Sequence, residues 1–395
     1  MAFSRILRRI SFLALAVSLA ACSKEAPSGA GKTEGKVKAG FIYVGPVGDY
    51  GWSNAHDKGR LQAQAKFPWL ETTIVESVAE SDAARIIDRL VNEAGCDIVF
   101  TTSFGYMDAT VEAGRKHPGK KFMHCSGFKR APNVGTYFAD MYQMYYLNGL
   151  MAGALSKSGK AGYVAAHPIP EVVRHIDAFA LGVREANPKA KVHVKWLYSW
   201  YDPAKAKEAA ESLVSEGCDA LAFTEDSPAV IQVAQGQTRK GKPVYAFSHY
   251  SPMQKFGPDS VVSGQLTDWG VLYESILSKV HDGTWIGDDI FALAHEKAVL
   301  LGGEFGQPIN SKFVEPLKAL TFADKALGKF SVYDLVMKRL AQMSEAPVSF
   351  DPFTGPIADQ AGKLRVKAGE RAPVAELLSI DWFVDNVVGE LPRGK

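Results

Sequence analysis

The chain has 395 residues, 47% of them hydrophobic, and a formal net charge of +2. Its first 21 residues hold Arg5, Arg8 and Arg9 and no acidic residue, so without them the balance moves from +2 to −1. A near-neutral chain with no basic stripe interleaved with aromatics excludes nucleic acid as a partner, because affinity for a phosphate backbone comes from clustered Lys and Arg.

The three arginines precede an apolar run, Ile10 to Ala21, that stops at Cys22. The run is shorter than the roughly 20 apolar residues a membrane-spanning helix needs, and its basic flank and small terminal residues fit a cleaved export signal. Leu19-Ala20-Ala21-Cys22 has the pattern of a bacterial lipoprotein cleavage site, in which the cysteine thiol is lipidated; an Ala-rich site with an incidental cysteine is the alternative. Ser23, in place of an aspartate after Cys22, points to outer-membrane sorting. The expectation is therefore a signal peptide over 1–21, a small, Gly-rich and charged tether over 22–36, and a domain facing the periplasm that is held to the cell envelope by the lipid on Cys22.

About 355 residues remain, too many for one core, and predict two domains. Lys36 to Val44 reads as a buried strand, followed by a glycine loop and a helix from Ser53 to Phe67. Strand Thr72–Val78, helix Ser81–Ala94 capped by Ser81 and Asp82, strand Asp97–Thr101, helix Tyr106–His117 and strand Lys121–His124 follow. The alternation restarts with strand Ala161–Ala165, helix Glu171–Asn187, strand Lys191–Leu197, helix Pro203–Glu216, strand Ala220–Thr224, helix Ala229–Lys240 and strand Val244–Phe247. Strands alternating with helices of this length predict parallel sheets covered on both faces. Leu90–Thr101 and Leu213–Thr224 also resemble each other, a helix end passing through Gly-Cys-Asp into an apolar strand and a threonine, which suggests two similar lobes.

Ligands of such sheets sit at the carboxyl ends of the strands, so two facing lobes define one cleft. The loops expected to line it are Gly45–Asn54, Thr102–Asp108, Ser126–Lys129, His167–Val172, Ser199–Asp202, Glu225–Pro228, Ser248–Met253 and Thr267–Trp269. They carry Trp52, Phe104, Tyr106, Trp200, Tyr201, Tyr250 and Trp269, with Phe128 nearby, and the acceptors Asp49, Asp108, Asp202, Glu225, Asp226 and Asp268. Flat aromatic faces with acidic acceptors suit a planar heterocycle bearing N–H donors, and repel an anion. Each residue also has a plainer role: Trp52 and Trp200 can pack the lobes, Asp226 and Asp268 can cap the helices that follow them, and Asp202 before Pro203 reads as a cap.

The spacing of Gly45, Gly48 and Gly51 is not that of a dinucleotide fingerprint, and no Walker lysine follows. No G-x-S-x-G elbow, H-E-x-x-H or paired cysteine motif is present, and the nine histidines are scattered, so the sequence predicts no enzyme, no metal centre and no cofactor. After Cys22 only Cys96, Cys125 and Cys218 remain, an odd number that leaves a free thiol; Cys96 and Cys218 open apolar strands and read as small buried hydrophobes.

An exported lipoprotein opening on a Gly-Phe-Ile strand, followed by Gly45–Trp52, by Asp202–Ala210 after an aromatic pair, and by the terminal segments Phe353–Ile357 and Ile380–Phe383, resembles the BMP family of basic membrane lipoproteins over nearly all of 36–395. That resemblance implies a substrate-binding protein of an ABC importer, working as a monomer with a permease and ATPase, with a type I periplasmic-binding fold whose chain crosses three times between lobes. The crossings are expected near Tyr137–Tyr142, Gly264–Thr267 and Asp288–Ala292, giving a first lobe of 37–139 plus 267–288 and a second of 140–266 plus 289–395, with late helices at Lys312–Ala319 and Ser331–Met343. Carried onto this sequence, the family's binding positions fall on Trp52, Ser53, Trp200, Asp226 and Asp268, to which the loop aromatics Phe104, Tyr106 and Tyr250 are added. Ser53 stands where nucleoside-binding members have asparagine, and no counterpart of their ribose-binding lysine is found, which favours a purine base such as adenine over a nucleoside. A sensor of the same fold without transport, and more remotely an exported nucleoside-processing enzyme, are the competing readings.

Overall fold

The structure, a computed structural model, describes residues 35–324 and 328–392. The signal peptide, the tether to its last two residues, and the lipidation position Cys22 lie outside the described residues. The chain runs through β1 (Val37–Tyr43), α1 (Trp52–Lys66), β2 (Leu70–Val75), α2 (Ala83–Asn92), β3 (Ile98–Thr102), α3 (Met107–Lys116), β4 (Lys121–Cys125) and β5 (Val134–Ala139). It then forms α4 (Tyr142–Leu155), β6 (Lys160–Ala165), α5 (Pro170–Ala186), β7 (Lys191–Trp196), α6 (Pro203–Ser215), β8 (Ala220–Thr224), α7 (Ala229–Arg239), β9 (Tyr245–Tyr250) and β10 (Val261–Thr267). After α8 (Trp269–His281) and β11 (Asp289–Ala292) come β12 (Val299–Leu301), α9 (Ser311–Ala319), β13 (Thr321–Asp324), β14 (Gly328–Ser331), α10 (Val332–Ser344), β15 (Ile357–Ala358), β16 (Leu364–Val366), α11 (Val374–Leu377) and β17 (Val387–Val388).

Two large sheets result, one in each α/β lobe, with two small antiparallel ribbons, β13-β14 and β15-β16, beside them. The first has the order β11-β5-β4-β3-β1-β2 with every pair parallel; the second has the order β12-β10-β9-β8-β6-β7-β17, with β12 antiparallel on its edge. The central strands are buried on both faces, as helix-covered parallel strands must be: β3, β5, β8 and β10 are buried at every residue. The two resembling segments occupy equivalent places. Cys96 N–H donates to Leu90 O and Cys218 N–H to Leu213 O, each at 3.0 Å, and Asp97 and Asp219 then donate to Lys38 and Lys160 at the starts of β1 and β6. Cys96, Cys125 and Cys218 are all free and buried.

The expected division between lobes changes at one place. Asp289–Ala292 pair with Thr136–Ala139 of β5, so β11 covers what would otherwise be a bare edge of the first sheet, and the third crossing falls in 293–298. Two local expectations also change. Strand β2 starts and ends earlier than Thr72–Val78, and the helix expected from Ser81 begins as a single 3-10 turn, Glu80–Asp82, with no side-chain cap from Asp82.

Helix α4, which follows the first crossing, was not expected. All of its residues but Ala154 are buried, so it has no polar face and no amphipathic period to read. It lies against α5 at close range. A Cβ on Gly149 would meet the Phe179 carbonyl oxygen at 2.1 Å, and one on Gly182 would meet that of Tyr146 at 2.1 Å. The C-terminal segment is fastened to the second lobe by Val384 N–H on Asp177 (3.0 Å), Asn386 Nδ2 on Ala180 O (2.8 Å) and the pairing of β17 with β7.

The seam between α4 and α5 sets a prediction. Gly149→Ala forces backbone against backbone and is expected to destabilise the protein by about 1–3 kcal/mol, as overpacking does, read as a lowered denaturation midpoint. An unchanged midpoint would mean that the two helices can separate freely.

Candidate functional site

In each sheet the strand order reverses at one strand, β1 between β2 and β3 and β6 between β7 and β8. Loops leaving the carboxyl ends of such strands flank a crevice, and here the two crevices face each other. The β1–α1 loop is organised by Asp49, whose carboxylate accepts the N–H groups of Gly51 (2.8 Å), Ser53 (3.1 Å) and Asn54 (3.0 Å). This folds the loop toward the second lobe and leaves Gly51 directly on Asp226. A Cβ at Gly51 would lie 2.5 Å from Asp226 Cα, so only glycine permits the approach.

Hydrogen bonds cross between the lobes there. Trp52 N–H donates to Asp226 Oδ1 (3.1 Å), and Ser251 Oγ donates to Gly51 O (3.3 Å) and to Asn54 Oδ1 (3.2 Å). Two strands further along the first sheet, after β4, Ser126 Oγ donates to Glu171 Oε2. Between these contacts lies a cavity of about 290 Å3 lined by Val44, Trp52, Ser103, Phe104, Ser126, Glu171, Trp200, Asp226 and Tyr250.

The aromatic walls are held in place. Trp52 Nε1 donates to Thr102 O (2.6 Å), and its ring meets those of Tyr250 and Trp269 edge to face at 4.9 and 5.4 Å. Tyr250 ends β9 in the left-handed region (φ 58°), and its hydroxyl donates to Glu171 Oε1 (3.2 Å). Trp200 rests 4.8 Å from the His167 ring, and its carbonyl accepts Asp226 N–H at 2.9 Å.

Five of the expected positions, Trp52, Phe104, Trp200, Asp226 and Tyr250, come together on this cavity; three do not. Ser53 is fully buried with its hydroxyl turned back to accept Gly45 N–H (3.1 Å), closing the loop from inside. Tyr106 is also fully buried, its hydroxyl on Val78 O (2.6 Å) in the core behind the first sheet. Asp268 caps α8 through Gly270 N–H (3.1 Å) and borders a separate hollow between α1 and the start of α8. Asp202 caps α6 as expected, through Lys205 N–H (3.0 Å). Asp226 does not cap α7, whose N-terminal side chain makes no capping bond. Val44, Ser103, Ser126 and Glu171 complete the lining, and of these the last three stand in loops the sequence marked without being singled out.

The electrostatics are one-sided: no lining residue is basic. Burial raises the Asp226 carboxyl well above the usual range, and the nearby Asp49 charge raises it further. Burial lifts Asp49 to about 6 against the pull of its three N–H donors, and lifts Glu225, beneath Asp226, to about 8. Glu225 Oε1 accepts the Ser227 hydroxyl at 2.7 Å, while Oε2 is buried without a partner. Among the described residues no group of His, Cys, Asp and Glu is arranged to hold a metal ion.

Acids with raised values bind protons more tightly in the folded state, so they favour folding at low pH and lose that contribution as pH climbs through the folded value. For Glu225 the contribution is whole below 4.5 and gone above about 8; for Asp49 the window is 3.8 to about 6. The melting temperature of ligand-free protein is expected to fall between pH 5 and 8.5, with Glu225→Gln flattening the part above pH 6. An identical slope in the variant would show that Glu225 is not the titrating group.

Comparison with known proteins gives the same architecture a lineage. Residues 36–326 match the Bmp family model, described as ABC transporter substrate-binding protein, PnrA-like. A purine-binding protein of Brucella abortus is 38% identical over 370 residues, covering 92% of this chain and 97% of that one. A putative ABC transporter glucose-binding protein of Haloferax volcanii is 36% identical over 296 residues, 75% of this chain and 74% of that one. Among solved structures, a solute-binding protein of an Aeropyrum pernix ABC transporter system superposes with a TM-score of 0.63 at 16% identity, over 78% of this chain and 86% of that one. Another from Conexibacter woesei gives 0.58 at 19%, over 80% and 100%; at these identities the likeness is one of fold. No helix among the described residues is long and apolar enough to cross a membrane. The lobes are those of a periplasmic-binding-protein type I fold, and the chain belongs to the Bmp family of PnrA-like ABC transporter substrate-binding proteins.

Proposed function

We propose that this protein captures a purine base, with adenine preferred, in the cavity between its lobes and delivers it to an ABC permease and ATPase from a lipid anchor on Cys22. The observation that carries the reading is the cavity itself: Trp52, Phe104, Trp200 and Tyr250 offer aromatic surface, Asp226 offers an acceptor, and nothing basic faces in. A flat ring with N–H donors satisfies both sets at once, and stacking contributes about 1–3 kcal/mol per base in other proteins. Asp226 Oδ1 is engaged by Trp52 N–H, which leaves Oδ2 for a donor on the ligand. The absence of a basic side chain from the lining favours the free base over a nucleoside. The 38% identity to a purine-binding protein over nearly the whole of both chains supports the same choice.

Isothermal calorimetry of the full chain in detergent with adenine, adenosine, guanosine and glucose tests this, glucose being included because a relative of similar identity is named for it. Adenine is expected to bind tightest; binding of glucose alone would overturn the purine reading. Trp200→Ala is expected to weaken adenine at least tenfold with the melting temperature of the ligand-free protein held, and an unchanged affinity would remove Trp200 from the site. Growth of expressing cells on radiolabelled palmitate is expected to label the native protein and not Cys22→Ala; equal labelling of both would place the lipid elsewhere.

A further inference from the structure

Glu171 stands apart from the other cavity residues because both of its carboxylate oxygens are already committed, and to opposite lobes. Oε2 accepts the hydroxyl of Ser126, which follows β4 in the first lobe, and Oε1 accepts the hydroxyl of Tyr250, which ends β9 in the second. A carboxylate accepting a hydroxyl donor on each oxygen acts purely as an acceptor, and such charge-assisted bonds are roughly twice as strong as neutral ones. Glu171 is 5% exposed, and it sits in the first turn of α5 just after Pro170 at that helix's start, where the backbone dipole favours a negative charge. Tyr250 is equally constrained, because a non-glycine residue at φ 58° persists only where its surroundings hold it there. The surroundings are Trp52 across the cleft, at 4.9 Å between rings, and Glu171 beneath its hydroxyl.

The second set of interlobe bonds, at Gly51, Trp52 and Asn54, leaves the end of β1. In the first sheet β3 separates β1 from β4, so the Ser126 contact lies two strand spacings away, about 10 Å. The loop after β3, which brings Ser103 and Phe104, lies between the two. The cavity is thus closed at two points, and Glu171 belongs to one of them while also forming part of the wall.

We propose that Glu171 is a positioning residue that links ligand capture to lobe closure, by holding Ser126 of one lobe and Tyr250 of the other on a single carboxylate at the cavity wall. The proposal rests on the cavity being the ligand site. Only the closed arrangement brings Ser126 to Glu171, so the bond stabilises the closed state, and a ligand that needs that state binds in proportion to the fraction of molecules already in it.

The test is the distance between spin labels on exposed helix positions of the two lobes, Arg85→Cys and Lys207→Cys, in the full chain with and without adenine. In ligand-free protein Ser126→Ala and Glu171→Gln are each expected to lower the ratio of closed to open molecules about tenfold. The double variant is expected to fall no further, because both substitutions remove one bond. Adenine affinity is expected to fall by the factor lost from the closed fraction. An unchanged closed fraction in Ser126→Ala, or losses that add in the double variant, would overturn the proposal. So would weaker binding in Glu171→Gln with ligand-free distances unmoved, since Glu171 would then act through the ligand alone. If wild-type protein binds no purine, the functional reading fails, and the ligand-free distances still decide the latch.

Discussion

The carboxylate of Asp226, accepting a hydrogen bond from Trp52 N–H at 3.1 Å across the cleft, sets the terms on which the lobes meet. For that bond to form, the β1–α1 loop must approach until Gly51 touches Asp226 backbone, and it does so because Asp49 folds the loop from within by accepting three of its N–H groups. The arrangement buries Asp49, Glu225 and Asp226 close together with no basic side chain lining the cavity. Buried acids without cations are costly, and here the cost is spread over backbone donors, serine hydroxyls and raised proton affinity. What remains is a cavity with acidic and aromatic side chains in its wall and no basic one.

Two kinds of rigidity support that cavity. Each large sheet is helix-covered and parallel apart from the edge strand β12, so strand ends are fixed relative to one another and each loop is aimed by a strand that cannot shift without disturbing a buried core. Near the first crossing Asp140 is completely buried and accepts from both Arg174 and His175 on α5, while Arg174 also reaches Leu377 O (3.2 Å) in the C-terminal segment. Removing one partner of such a cluster leaves an uncompensated charge, which is far worse than never having had the pair. The crossing is therefore tied to α5, the same helix that presents Glu171 at its start.

Much of the fold was legible in the sequence because helix and strand periods differ and because each βα unit ends on a loop of recognisable composition. The repeat of Leu90–Thr101 in Leu213–Thr224 even marked equivalent strands of the two sheets. What escaped was whatever lacked a period. Helix α4 is buried on every face, β10 is buried at every residue, and β11 is a short edge strand whose partner, β5, lies 153 residues away at Thr136 and Asp289. The misassigned third crossing follows from that last case, since pairing at such separation leaves no local trace.

At the site the sequence decided residue type and position along the chain: aromatics and acids at strand ends, a glycine loop at the first of them, no basic residue among the loops' singled-out positions. Only the tertiary structure decided direction. Ser53, Tyr106 and Asp268 have suitable chemistry and suitable loops, yet each turns to a nearby backbone group that would otherwise go unpaired, at Gly45 N–H, Val78 O and Gly270 N–H. Ser126, in the loop after β4, and Glu171, in the first turn of α5, are the reverse, residues 45 positions apart that become neighbours only across the two lobes. Backbone groups that must be satisfied compete for every polar side chain in a loop, and the winner depends on what the opposite lobe brings within reach, which no stretch of one strand and its loop contains.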